Sequence, residues 1–145
     1  MVLPAAVVAA RRRQSVRSRA AWVVGSSIAL LGYPLGRWLL ADRTRSRPPD
    51  GLCSELRGLG LLTITEELVW GDQVEPAIGV PATAALFALK HPLIDGRWRR
   101  VLGLALFWLG LAVVRRQSRW HALLVHLAAN GAGVAVGHWL EQDQF

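Results

Sequence analysis

At 145 residues the chain has room for one domain, but 52% of it is hydrophobic and its mean hydropathy is +0.30, which sets it apart from an ordinary soluble domain. Its formal charge of +7 is gathered into short arginine runs separated by long uncharged stretches, the pattern of basic loops between apolar spans and not that of a nucleic-acid-binding surface. The single cysteine, Cys53, excludes an intrachain disulfide and any multi-cysteine metal site.

Residues 1–19 read as a basic N-terminal leader. The apolar stretch precedes the arginines, and the next apolar segment is too long for the h-region of a secretory signal. Residues 20–41, "AAWVVGSSIALLGYPLGRWLLA", form a first membrane helix, with Trp22 and Trp38 near its ends at headgroup level and Arg37 placed to snorkel. "DRTRSRPPDG", residues 42–51, is a charged loop punctuated by proline and glycine. A second helix from Leu56 to Trp70 carries Glu66 and Glu67, and "GDQVEP", residues 71–76, has the composition of a turn. The third, "PAIGVPATAALFALKHP", ends at Pro92 and should kink at Pro81. After the basic loop "LIDGRWRR" comes "VLGLALFWLGLAVV", whose 14 uncharged residues need flanking arginines to complete a crossing. "RRQSR" leads to a last helix at residues 120–140, flanked by Trp120 and Trp139. The expected fold is therefore all-α, a polytopic membrane helix bundle of about four to five transmembrane helices.

Ionisable groups inside membrane helices are costly and mark a functional site by default. Three sets stand out, each on a different expected helix: Glu66/Glu67, His91, and His126 with Asn130. His126 and Asn130 are four apart and share a helix face, whereas His121 projects away from it and His138 sits near the membrane boundary. A carboxylate with two imidazoles and a carboxamide suits two chemistries. Glu66, His91 and His126 would ligate a divalent metal such as Zn2+ with an open position for water, or no cofactor is needed and glutamate and histidine activate water directly. In the second case the other histidine and the asparagine donate to an oxyanion.

The segments "EELVW" (66–70), "FALKH" (87–91) and "HLAAN" (126–130) resemble, in order, the three motifs of the CPBP family of intramembrane proteases, the CaaX-protease and bacteriocin-processing or Abi proteins. Their pattern is Glu-Glu-x-x-x-Arg, Phe-x-x-x-His and His-x-x-x-Asn/Asp. The stretch "FWLGLAVVRRQSRWHALLVH" also resembles the family's entry to its last helix, so the likeness covers about residues 58–140. It implies a multi-pass protein of a bacterial cytoplasmic membrane, acting on a membrane-embedded or lipid-anchored protein or peptide. Glu66 would be the general base that activates water with His91. His126 and Asn130 would stabilise the oxyanion, and Phe87 would pack beside them.

The chain departs from the pattern at position 71, where glycine replaces the motif arginine. Without that partner, and unless Lys90 or another arginine substitutes, Glu67 is expected to be protonated or turned to water. The interval from Glu66 to His91 is also short for the family, and fewer helices than usual precede the first motif. A catalytically impaired scaffold or bacteriocin-immunity protein is the alternative. More remote is a b-haem protein using histidine pairs as axial ligands.

Overall fold

The computed structural model describes the backbone of residues 5–40 and 51–142 and the side chains of residues 18–40 and 51–135. The described chain is all-α. Helix α1 spans Ala5–Leu39, α2 Leu52–Glu66, α3 Glu75–Ile78, α4 Val80–Asp95, α5 Val101–Arg115 and α6 Arg119–Gln142. A π-helical segment, Glu67–Val74, joins α2 to α3, and a 3-10 turn, Trp98–Arg100, precedes α5. No strand occurs among the described residues. The loop expected at residues 42–51 lies outside them except for Gly51, as does the side chain of His138.

Several boundaries differ from those expected. Helix α1 begins at Ala5 and takes in the arginine-rich stretch assigned to a separate leader. The segment 71–76 is no turn: the chain runs on from α2 through the π-helical segment into α3. Pro76 lies inside this continuous helical run, directly after the widened turn, and as a proline has no N–H to give to the turn before it. Pro81 occupies the first turn of α4 and produces no internal kink. The break comes two residues earlier at Gly79, whose φ of 83° suits glycine. Pro92 does not end the helix either; α4 continues to Asp95 and closes at Gly96, whose N–H donates to the Pro92 carbonyl at 2.8 Å.

Helix α5 is the central element. It buries Leu104, Phe107, Trp108, Leu111 and Val114, along with Gly103 and Gly110. It packs on α1 through small residues on both sides. A Cβ on Gly36 would stand 2.5 Å from the Gly103 Cα, and one on Gly103 would stand 2.6 Å from the Tyr33 carbonyl oxygen. A Cβ on Gly110 would collide with the backbone nitrogen of Ala29. Backbones this close are what small-residue stripes provide, and they are the usual means by which helices associate in lipid. Gly110→Val is expected to weaken the bundle by about 1–3 kcal/mol or more, because backbone cannot swing aside as a side-chain tip does. The check is the midpoint of heat unfolding in detergent micelles. Gly58→Ala, whose new Cβ meets nothing within 4 Å, should not lower it.

Among the described residues no helix is long and apolar enough to cross a membrane. Helices α2, α4 and α5 have 15, 16 and 15 residues, roughly 22–24 Å at about 1.5 Å per residue, against a hydrocarbon core of about 30 Å. Beside the apolar core, many large apolar side chains nonetheless lie exposed while several polar ones are buried. Leu93 and Ile94 are 74% and 82% exposed, and Leu31, Leu61, Trp38 and Trp120 are also exposed, whereas Glu66, Glu67, Thr63, Thr83 and His126 are buried.

Candidate active site

Glu66 and Glu67 lie three and four residues after Thr63, so the last turn of α2 and the first residue of the π-helical segment bring all three to one side. All three are buried. Beyond Glu67 the helix widens: the Glu75 N–H reaches back five residues to the Trp70 carbonyl. Such π turns recur at functional sites. This one sets Gly71 and Glu75 against the C-terminal end of α5.

Helix α4 contributes Phe87 and His91, four apart, with Lys90 beside them. The Phe87 ring is buried, tilted on Trp108 at 4.3 Å between centroids and edge-on to His91 at 4.9 Å. His91 donates from Nδ1 to the Phe87 carbonyl at 2.8 Å. A carbonyl oxygen only accepts, so Nδ1 carries the proton and Nε2 is left with a lone pair. That Nε2 lies 3.9 Å from Glu66 Oε1.

Helix α6 contributes His126 and Asn130. His126 is 1% exposed and is held between the two glutamates. Its Nδ1 donates to Glu67 Oε1 at 2.8 Å, and its Nε2 lies 3.5 Å from Glu66 Oε2. Asn130 donates from Nδ2 to Thr63 Oγ1 at 2.8 Å, and Thr63 donates in turn to the Leu59 carbonyl at 2.8 Å. Glu66, His91, His126 and Asn130, from three helices, thus line one cavity of 440 Å³. Tyr33 and Arg37 of α1 also line it, so Arg37 faces this cavity and stacks over the Tyr33 ring at 5.6 Å. His121 stands apart as expected, exposed and edge-on to Trp22 at 5.9 Å.

For Glu67 the exception allowed above holds, since another arginine substitutes for the one missing at position 71. Glu67 is neither unpaired nor turned to water: Arg115, the last residue of α5, donates to its Oε2 from Nε at 3.2 Å and from Nη2 at 2.9 Å. Lys90 has a different partner, donating to Glu66 Oε1 at 2.6 Å while its ammonium lies over the Phe87 and Trp70 rings at 4.4 and 4.9 Å. Both acids that sit side by side in sequence therefore have a cation of their own.

Among the described residues no group of three or more His, Cys, Asp or Glu side chains is arranged to hold a divalent metal. The Lys90 ammonium already stands on Glu66, where a second cation would meet like charge.

Sequence reasoning missed Arg115, Thr63 and Glu75 as parts of the site, and weighed Lys90 only as a partner for Glu67. Two of them carried a signal. Lys90 is a charged residue inside an apolar run, directly before His91, and Thr63 lies four before Glu67 on the same helix face. Arg115 and Glu75 looked like the ends of loops.

No family model, no curated protein and no solved structure matches the chain. Its likeness to the CPBP proteases is carried by the three motifs themselves.

Proposed function

We propose that the protein is an intramembrane endopeptidase of the CPBP type that hydrolyses a peptide bond of a membrane-embedded or lipid-anchored protein or peptide. The observation that carries this reading is the arrival of Glu66, His91, His126 and Asn130 from three helices on one cavity. The membrane setting is supported by the polarity of the surface and interior, with ionisable groups packed inside and many large apolar side chains outside. The close glycine contact of α1 with α5 points the same way. Short helices cross with help from flanking arginines, and several such residues stand at these helix ends.

The tautomers give each side chain a role. A water between Glu66 and His91 would donate one O–H to Glu66 and the other to the bare Nε2 of His91. Glu66 takes the proton as the water oxygen bonds to the carbonyl carbon, and the C=O electron pair moves to oxygen. Asn130 has an amide N–H beyond the one given to Thr63, and His126 Nε2, bare in the resting ring and 3.5 Å from Glu66 Oε2, becomes a second donor as it shares the proton that Glu66 has taken from the water. Collapse of the tetrahedral centre breaks the C–N bond, and the proton held by Glu66 passes to the leaving amine.

The test uses the full chain co-reconstituted in vesicles with a single-span reporter protein. Cleavage is expected with the natural sequence and lost in His91→Ala. Equal cleavage in both would overturn the reading.

A second reading, a catalytically impaired membrane scaffold, draws on the Lys90 ammonium at 2.6 Å from Glu66, which occupies one oxygen of the base. On that reading Glu66→Gln leaves the cellular phenotype intact, whereas Gly110→Val, which disrupts helix packing, abolishes it. A haem-binding role finds no support in this geometry, since the Nε2 atoms of His91 and His126 both face one carboxylate.

A further inference from the structure

Arg115 does not line the cavity, yet its side chain is only 9% exposed and is held from three directions. It donates twice to Glu67 Oε2, and from Nη1 to Glu75 Oε2 at 2.6 Å. Its guanidinium lies over the Trp108 ring at 4.7 Å, and Trp108 Nε1 donates to the same Glu75 oxygen at 2.9 Å. This is a geometry that only a planar fork of donors satisfies; a lysine ammonium is a point charge on a different stem.

Position 71 makes room for it. A Cβ there would stand 2.7 Å from Arg115 Nε and 2.9 Å from its Cζ. Gly71 has no positive φ, so its backbone does not call for glycine. What calls for glycine is the guanidinium. The far end of an arginine usually gives way cheaply, but this one is pinned by two carboxylates and an indole.

The line of contacts continues inward. Arg115 holds one oxygen of Glu67, the other oxygen accepts from His126 Nδ1, and the opposite nitrogen of that ring faces Glu66. We propose that Arg115 is a positioning residue that acts through Glu67 to fix the tautomer and orientation of His126, and that Gly71 is the socket that admits it. The purpose of the device rests on the peptidase reading; its physical content does not.

The test therefore reads the ring and not turnover. The full chain is prepared in detergent micelles with 15N in its histidine rings, and His126 is assigned by the signal lost in His126→Gln. In the natural sequence its two nitrogens should resonate apart, with the proton on Nδ1. In Arg115→Met the anchored acceptor is gone and the two resonances should converge towards the average of exchanging tautomers. Gly71→Ala, which keeps every ionisable group, should move them the same way by displacing the guanidinium, and should add nothing in the Arg115→Met background. Unchanged His126 resonances in folded Arg115→Met or in Gly71→Ala would overturn the proposal. If Arg115→Met loses its helical circular dichroism, Gly71→Ala decides alone. Where cleavage is measurable, kcat should fall about 10–100-fold with KM retained, the range for partners that orient a working histidine. A natural sequence that cleaves nothing while His126 responds as described would count against the peptidase reading and leave the positioning role standing.

Discussion

Glu66→Gln is expected to lower single-turnover cleavage of a reconstituted substrate by about 10²–10⁴-fold, the usual contribution of a positioned general base. The substitution conserves shape and removes only the capacity to take a proton. Its local consequences can be read from the contacts. Lys90 loses its carboxylate partner at 2.6 Å, and His126 Nε2 meets an amide where it had a carboxylate oxygen at 3.5 Å. Neither change removes the Glu67–Arg115 pair or the Asn130–Thr63 bond, so the bundle should keep its helical content. Asp72→Asn serves as the control. It breaks an ion pair with Arg119 at 2.5 Å in which Arg119 is 64% exposed, and exposed pairs contribute little. Cleavage by Glu66→Gln at the rate of the natural sequence would remove Glu66 from the mechanism.

The largest expected loss of stability is at Trp108. Its ring is fully buried, stacked with Phe87 and lying beneath the Arg115 guanidinium, and its N–H is given to Glu75. Trp108→Ala should cost about 3–5 kcal/mol, through lost transfer free energy and the cavity left behind. Trp108→Phe retains the ring contacts and forfeits the hydrogen bond, for about 1 kcal/mol, since Glu75 Oε2 keeps its bond from Arg115. Denaturant midpoints in micelles separate the two. A Trp108→Ala chain as stable as the natural sequence would show that the α4–α5 contact is not central to the bundle.

The existence and order of the helices were legible because apolar runs broken by basic clusters leave few other arrangements. The motif residues were legible too, since an acid or imidazole in such a run has no cheap explanation. What escaped was set by contacts between distant segments. Glycine, aspartate and proline at 71, 72 and 76 carry the composition of a turn, and only packing against α5 holds that stretch as a widened helix. Arg115 stands 48 residues from Glu67 and looked like the first residue of a basic loop. Even so, position 71 carried a clue: a missing side chain beside a buried acid implies that another group fills the space. Lys90 was weighed as a partner for Glu67, but α4 delivers it to Glu66, the neighbouring acid.

The ion pairs that complete the site join residues far apart in the chain, and that sets an order of assembly. A nascent chain that has emerged only through α4 carries Glu66, Glu67, Lys90 and His91 but no countercharge for Glu67, no ring between the two acids and no carboxamide. Arg115 arrives at the end of α5, and His126 and Asn130 arrive with α6. The carboxylates are thus made early and armed late. On the peptidase reading proposed above, a chain built this way has no working centre until its last helix docks, and so poses no hazard to other chains made beside it.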